Sequence, residues 1–105
     1  MMSDMNVVAL SGTLRWDTEP KFSEKGSCTC PFKLETKRKF GDKEYSDTVD
    51  CVCFGDAALI MADASAGDRI VVVGRVGSRS YEDGEKKRYM TQVVAEQVEV
   101  IKNVG

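Results

Sequence analysis

The sequence predicts an all-β fold, a small closed or nearly closed barrel of five strands with one helix between the third strand and the fourth. Three observations predict it. Several segments alternate apolar and polar residues with the two-residue period of a half-buried strand. Only one segment, rich in alanine, has the pattern of a helix. Glycines fall where the strands of a small barrel have to bend or turn.

The first two strands enclose a polar loop. The first strand, "MNVVALSGTLRW" (5–16), is rich in β-forming residues, and Gly12 within it indicates a bulge or a tight bend. The loop covers 17–27. The second strand, 28–37, has its apolar residues on one face and its polar residues on the other. Pro31 has no N–H group to donate, so its position should face an edge or a bulge.

The helix follows the third strand. A polar turn at 38–45 leads into this strand, which covers 46–54. The helix is predicted at 55–67. Asp56 is placed to cap its N-terminus, and Gly67 is placed to end it in a left-handed conformation.

The last two strands form a second hairpin. The fourth strand covers 68–81, a turn covers 82–85, and the fifth strand covers 86–102. Three strands, a helix and two further strands within 105 residues are the element order of the OB-fold. We therefore predict one OB-fold domain over 1–105.

Four cysteines are the candidates for a metal site. Alternation places Cys51 and Cys53 on the same side as Val49, which belongs to the inward apolar set. Cys28 and Cys30 belong to the inward set of the preceding strand. Buried, reduced cysteines pack as small hydrophobic residues, and this interpretation predicts no metal and no other cofactor. The alternative is a zinc site with four cysteine ligands, although structural zinc usually takes cysteines about two to four residues apart on turns.

Charge is segregated along the chain, which has 15 basic and 17 acidic residues and a formal net charge of −2. Residues 44–68 contain six acidic side chains and no Lys or Arg, whereas 33–43 and 75–88 each contain five basic residues. The basic clusters indicate either a nucleic-acid track or solvated loops. The chain has no histidine, the commonest general base, so an enzyme is not expected.

The N-terminal segment and the hydropathy indicate the compartment. No apolar run approaches the roughly 20 residues of a membrane-spanning helix. The segment "MMSDMNVV" lacks the basic and apolar regions of a signal peptide. We therefore expect a cytoplasmic protein with reduced thiols and no membrane partner.

Five segments occur in an order that suggests a family. They are "MNVVALSGTL" near the start, "FKLETKRKF" (32–40), "CFGDAA" (53–58), "GDRIVVVGRVGSRSY" (67–81) and "KRYMTQVVAEQVEVI" (87–101). Together, from Met5 to Ile101, they resemble the bacterial and phage single-stranded DNA-binding protein family. The resemblance implies an OB-fold that binds single-stranded DNA without strong sequence preference and protects it in replication, recombination or repair. The expected location is then a bacterial cytoplasm or nucleoid.

The resemblance also implies the site residues. Its base-stacking aromatics match Phe40, Phe54 and Tyr81, and a further aromatic is similar to Phe22. Basic residues around these aromatics are expected to contact phosphates. They are Lys33, Lys37, Lys39, Lys43, Arg75, Arg79, Lys86, Lys87 and Arg88.

The only tryptophan has two possible roles. Trp16 follows Arg15 at the end of the first strand, and in this fold the loop after that strand lies at the rim of the nucleic-acid face. The pair could cap the bound strand, or Trp16 could plug one end of the barrel. Alternation does not decide between them, because it need not continue past Gly12.

The chain departs from the family pattern at three places. Thr48 stands where the family commonly has a tryptophan, and Asp50 stands where it tends to be basic or neutral. The sequence ends at "VIKNVG" without an acidic tail, so no tail-mediated recruitment of repair enzymes is expected. This ending indicates a phage or mobile-element member, a specialised paralogue or a shortened chain. The family also assembles as dimers or tetramers, so we expect a homodimer or homotetramer with the first strand at the interface.

Two other functions remain open. The primosomal replication protein of the B type is also a tailless OB-fold, and residues 10–13 and 95–97 resemble its "LSGT" and "AEQ" segments. An OB-fold can also serve as a protein–protein interaction module, and the acidic stretch 44–68 would suit a basic partner.

Overall fold

The computed structural model describes residues 3–103. Within this range the elements are β1 (Val8–Leu14), β2 (Lys21–Phe22), β3 (Cys28–Phe40), β4 (Lys43–Phe54), α1 (Gly55–Ala62), β5 (Arg69–Asp83) and β6 (Lys86–Ile101). Apart from β2, they are the five strands and the helix that the sequence predicts, in the predicted order. The short β2 lies inside the predicted loop and pairs with β3 outside the barrel. Its two residues are too few to show alternation.

The five longer strands close into a barrel. Their order is β1-β5-β6-β4-β3, and β1 pairs back with β3 through Thr13 opposite Glu35 and Leu14 opposite Leu34. All of these pairings are antiparallel except the one between β4 and β6. The predicted all-β OB-fold is therefore confirmed.

Gly12 and Gly74 allow two strands to approach each other closely. A Cβ atom on Gly12 would lie 2.3 Å from the carbonyl oxygen of Glu35, where β1 crosses from β5 to β3. A Cβ atom on Gly74 would lie 1.9 Å from the carbonyl oxygen of Val94, beside the break in the β5–β6 register. The bend that the sequence indicates at Gly12 thus coincides with the closure of the barrel.

The first hairpin is longer than predicted. The sequence indicates a polar turn over 38–45, but β3 and β4 stay paired as far as Phe40 opposite Lys43. The turn is reduced to Gly41 and Asp42, because Gly41 adopts a left-handed φ of 66° that a two-residue turn requires. Every residue from 37 to 48 is exposed, and so is every residue from 78 to 89 at the tip of the β5–β6 hairpin. We call these segments the β3–β4 arm and the β5–β6 arm.

The helix is shorter than predicted. It ends at Ala62, and Asp63 follows it in a right-handed conformation. The prediction that Asp56 caps the N-terminus is wrong, since the N-cap is Phe54 and no side chain donates or accepts a capping hydrogen bond there. Gly67 has a left-handed φ of 95° but lies in the following turn rather than at the end of the helix.

Asp68 organises that turn. Its carboxylate accepts hydrogen bonds from the backbone N–H groups of Ser65 (2.9 Å) and Asn103 (3.0 Å), and from the Lys102 ammonium (3.1 Å). The two backbone donors, followed by Lys102, lower the pKa of Asp68 below its ordinary value. The carboxylate that organises this turn thus lies three residues after Ser65, one of its backbone donors. The prediction of a helix over 55–67 did not include this pattern.

The core lies inside the barrel and is closed at one end by α1. Its fully buried side chains include Leu14, Leu34, Met61, Ile70 and Val72. The predicted inward orientation of the cysteines is confirmed, because all four are buried and unpaired as thiols. They are Cys28, Cys30, Cys51 and Cys53.

Burial favours the protonated form of three of these thiols. Burial is the main cause that raises the pKa of Cys51 and of Cys53 to about 12, and it also raises the pKa of Cys30. Within residues 3–103, no three Cys, Asp or Glu side chains are grouped so that they could hold a metal ion. Thiolate chemistry at neutral pH is therefore not expected of these residues.

The side chain of Asn6 extends the pairing of β1 beyond its first residue. Its amide donates to the carbonyl oxygen of Val76, and its carbonyl accepts from the N–H group of Val76, both at 2.8 Å. These side-chain bonds hold the chain beside β5, and the regular strand begins at Val8 rather than at the predicted residue 5. Across residues 3–103, no helix is long and apolar enough to cross a membrane.

Candidate nucleic-acid interface

Strand register sorts the predicted site residues into two faces. Residues opposite each other on paired strands point the same way, so a face can be followed across β3, β4, β6 and β5. We call the side that points away from the barrel interior the outer face. It passes through Pro31 opposite Val52, Val52 beside Val94, and Val94 opposite Arg75. The predicted site residues on it are Lys33, Lys37, Lys39, Phe54, Arg75, Arg79, Tyr81, Lys86 and Arg88.

Three predicted residues lie on the other side of the arms. Phe40 and Lys43 face each other across the β3–β4 arm, one residue out of phase with Lys39. Lys87 lies opposite Glu82 on the β5–β6 arm. We call this side the reverse face. The arms therefore carry candidate binding residues on both sides. A turn over 38–45, as predicted, would not assign these residues to opposite faces.

The predicted stacking residues are exposed rather than packed into the core. The exposed fractions are 62% for Phe22, 77% for Phe40, 54% for Phe54 and 44% for Tyr81. Phe54 pairs with Thr29, and Phe22 pairs with Cys28. Both aromatics lie near the end of the barrel that α1 closes. Large exposed aromatics with no burial to explain them are the side chains on which bases can stack.

The basic residues differ in whether they already form an ion pair with a carboxylate. Lys33 Nζ lies 2.6 Å from Asp50 Oδ1, and Arg88 Nε lies 2.9 Å from Asp83 Oδ2. Lys37 has longer contacts with Glu35 and Glu44. Within the described chain, several cations of the predicted set have no carboxylate oxygen within 4.0 Å. They are Lys39, Lys43, Arg75, Arg79, Lys86 and Lys87.

Trp16 lies at an open cleft and does not plug the barrel. It is 53% exposed and lines a cleft of about 330 Å³ together with Lys33, Asp50 and Arg79 of the outer face. The guanidinium of Arg15 lies 4.9 Å from the centroid of the indole ring. Trp16 therefore lies at the rim of the outer face and not inside an end of the barrel.

Two of the three departures from the family pattern, Thr48 and Asp50, are paired with cations. The hydroxyl of Thr48, where the family commonly has a tryptophan, accepts a hydrogen bond of 3.2 Å from Arg15. Arg15 also contacts Glu35 at 3.4 Å. The negative charge of Asp50 is held by Lys33. The outer face is thus less basic around Lys33 than the sequence count suggests.

Sequence reasoning missed two exposed tyrosines on the reverse face. Tyr45 lies under the guanidinium of Arg38 at 5.0 Å, and Tyr89 lies under the ammonium of Lys87 at 5.9 Å. Tyr45 falls in the predicted turn at 38–45, and Tyr89 falls in the predicted fifth strand at 86–102. Extending the two-residue period of the flanking strands through 38–45 could have placed Tyr45 on a strand.

Comparison with known proteins identifies the family. A model described as the Single-strand binding protein family matches residues 5–101. The chain belongs to this family. The resemblance noted in the sequence is thereby confirmed over the same range.

The relatives agree with this assignment. The chain is 34% identical to a single-stranded DNA-binding protein of Enterococcus faecalis, with 94% of this chain and 55% of the relative covered. It is 38% identical to single-stranded DNA-binding protein 2 of Clostridium acetobutylicum, with 92% and 77% covered. A crystal structure of a deletion mutant of the Thermus aquaticus single-stranded DNA-binding protein aligns with a TM-score of 0.82 at 25% identity, covering 96% of this chain and 52% of that one. The chain thus spans about half the length of two of these family members.

Proposed function

We propose that the chain binds single-stranded DNA without strong sequence preference, by stacking bases on exposed aromatics while cations contact the phosphates. The observation that carries this proposal is the outer face, which joins Phe54, Tyr81 and the free cations Arg75 and Arg79 across four paired strands. Names of the relatives support it, since each of those compared is called a single-stranded DNA-binding protein. The proposed role is that of a binding protein rather than an enzyme, in DNA replication, recombination or repair.

The energetics fit this role. Each base stacked on an aromatic side chain is expected to contribute roughly 1–3 kcal/mol, whichever base it is, because every base has a π-face. The exposed ion pairs on the face stabilise the fold by only about 0–1 kcal/mol each, so a phosphate can displace a carboxylate at little cost. The four free cations of the outer face would give a slope of log affinity against log salt of up to about −3, at about 0.7 per phosphate contacted on a single strand.

Fluorescence anisotropy with labelled oligonucleotides tests the proposal. We expect the protein to bind a single strand more tightly than a duplex of the same sequence, and to lose affinity as salt rises. Comparing several unrelated sequences at one salt concentration measures sequence preference. Equal or tighter binding to the duplex would contradict the proposal.

We also propose that the chain forms a homodimer or homotetramer through β1. Residues 8–12 of β1 pair with β5 on one side, whereas its pairing with β3 begins only at Thr13. One edge of this segment therefore has no strand beside it among residues 3–103, and Val7 next to it is exposed. An unpaired edge with apolar neighbours can pair with a second copy. Light scattering at micromolar concentration would show a monomeric mass if this proposal is wrong.

A further inference from the structure

The β3–β4 arm is a ribbon only two strands wide. Within the arm, β3 and β4 pair with each other. In the described chain, β1 reaches β3 only at 34–35 and β6 reaches β4 only at 51–53, so neither edge of the arm has a neighbouring strand. Its residues 37–48 are all exposed. A ligand can therefore lie against either face of the arm or pass from one face to the other around an edge.

The aromatic side chains of this arm lie on its reverse face. Phe40 stands opposite Lys43, and Tyr45 stands opposite Arg38. Both aromatics are exposed, Tyr45 to 40%. The outer face of the arm has no aromatic residue within 37–48, and its side chains are Lys37, Lys39, Glu44, Ser46 and Thr48. A strand on the outer face of this arm can therefore contact cations but cannot stack its bases there.

The reverse face of the arm repeats an arrangement found on the outer face. On the β5–β6 arm, Tyr81 of the outer face stands directly opposite Arg88. The reverse face of the β3–β4 arm has two such pairs, and in one of them the guanidinium of Arg38 lies 5.0 Å from the centroid of the Tyr45 ring. An aromatic ring beside a cation can stack a base while the cation contacts a phosphate.

The charge of the reverse face also suits a polyanion. Among the paired residues of the arm, this face carries the cations Arg38 and Lys43 and one carboxylate, Asp47. Asp47 Oδ2 lies 3.6 Å from Arg38 Nε, and both side chains are well exposed, so the pair is weak. Lys43 has no carboxylate within 4.0 Å in the described chain. The face is thus net positive, as a phosphate backbone requires.

We propose that the reverse face of the β3–β4 arm is a second site for single-stranded DNA, separate from the outer face and centred on Tyr45. The inference rests on the proposed single-strand binding. A β-ribbon with its side chains is roughly 10 Å thick, so the few nucleotides on the outer face do not also reach Tyr45. A longer strand reaches it by crossing an edge of the arm. The length of the strand therefore decides whether the second site is occupied.

The test compares two strand lengths. Anisotropy titrations at one salt concentration use thymine oligonucleotides of about 5 and about 15 nucleotides, near the two ends of the range of OB-fold site sizes. We expect Tyr45→Ala to weaken binding of the long strand about ten-fold and of the short strand less than about two-fold. Tyr81→Ala, on the outer face, should weaken binding of both strands.

The outcomes separate this site from the proposed function. An equal loss for both lengths in Tyr45→Ala would place Tyr45 in the same site as the outer face and overturn the second site. Unchanged binding of the long strand would also overturn it. Either result leaves the proposed function intact. If the unaltered protein bound neither strand, both proposals would be wrong.

Two further variants separate stacking from the folding of the arm. Tyr45→Ile keeps a β-forming side chain without a ring, and Tyr45→Phe keeps the ring. We expect Tyr45→Ile to lose about as much long-strand affinity as Tyr45→Ala, and Tyr45→Phe to stay within about two-fold of the unaltered protein. Ser46→Ala, at the next position but on the outer face, is the matched control and should change neither affinity. Full affinity in Tyr45→Ile would mean that the ring only supports the arm, and would overturn the site.

Discussion

The barrel and its two arms are made of the same strands but obey different constraints. Inside the barrel, alternation separates buried residues such as Leu34 and Ile70 from exposed ones, and packing fixes the register. In the arms, both faces are exposed, and the register depends on the turns and on cross-strand pairs such as Arg38 with Tyr45. Substitutions in the barrel should therefore change stability, whereas substitutions in the arms and on the outer face should change binding.

The largest effect is expected where two strands of the barrel meet. Gly74→Ala would place a Cβ atom 1.9 Å from the carbonyl oxygen of Val94, so the backbone has to move. We expect the free energy of unfolding to fall by about 3 kcal/mol, measured by urea denaturation.

The matched substitution in the arm is Gly41→Ala. A Cβ atom there meets nothing within 4 Å, and the only penalty is the left-handed φ of 66°. This penalty is about 1–2 kcal/mol. If both substitutions destabilised the protein equally, the barrel would not be more constrained than the arm.

The buried thiols provide a second test of the barrel. The pKa of Cys51 and of Cys53 is raised to about 12 from 9.0, so the unfolded chain releases these protons before the folded one does. Their contribution to stability is complete below pH 9 and is lost as the pH rises through 12, with a slope of at most about 1.4 kcal/mol per pH unit for each thiol.

Denaturation at a series of alkaline pH values measures this slope. Cys51→Val removes one titrating group and should make the slope smaller. At neutral pH all four thiols should react with a disulfide reagent in denaturant and none should react quickly in the native protein. Rapid reaction of the native protein would show that the barrel opens far more easily than its packing indicates.

The next effect concerns binding by the outer face. Tyr81→Ala and Phe54→Ala should each weaken binding to a single strand by roughly 1–3 kcal/mol, because each removes a stacking surface. Thermal stability should change little for Tyr81, which has no core contact to lose. Ile60→Ala is the control, since Ile60 is a similarly exposed apolar residue on α1 that does not share a groove with Phe54. A loss of affinity in the control equal to that in Tyr81→Ala would indicate a general effect of lost apolar surface.

The barrel could be predicted from the sequence because a strand with one buried face needs apolar residues at alternate positions. The alternation of Cys28, Cys30, Phe32 and Leu34 predicts the inward set of β3, and the structure buries all four residues. Gly12 predicts a bend for the same reason, since a side chain there would collide with the neighbouring strand. These features are local consequences of packing, so a single sequence contains them.

The arms and the site were less predictable because nothing is buried there. The residues between 38 and 45 are polar or aromatic and exposed, which is also the composition of a loop. Their assignment to opposite faces needs the register, and the register depends on the left-handed Gly41. The cleft beside Trp16 depends on how the β1–β2 connection lies over β3, which no local pattern specifies.

The smallest effect tests whether an ion pair on the outer face restrains binding. Lys33 Nζ lies 2.6 Å from Asp50 Oδ1, so this cation is occupied in the free protein. Asp50→Asn removes the carboxylate charge and frees Lys33 for a phosphate. We expect binding to strengthen by up to about 1 kcal/mol, with stability changed by no more than that, because both partners are partly exposed. The slope of log affinity against log salt should become steeper by about 0.7.

A double-mutant cycle distinguishes this mechanism from simple removal of a negative charge. If Asp50 acts by occupying Lys33, the gain from Asp50→Asn should disappear in the Lys33→Gln background, and the salt slope should return to its original value. If Asp50 acts only by repelling the strand, the gain should persist in that background. All titrations should use the same thymine strand, so that only the protein changes between measurements. Persistence of the whole gain without Lys33 would mean that Asp50 acts by repelling the strand and that the ion pair does not regulate access to Lys33.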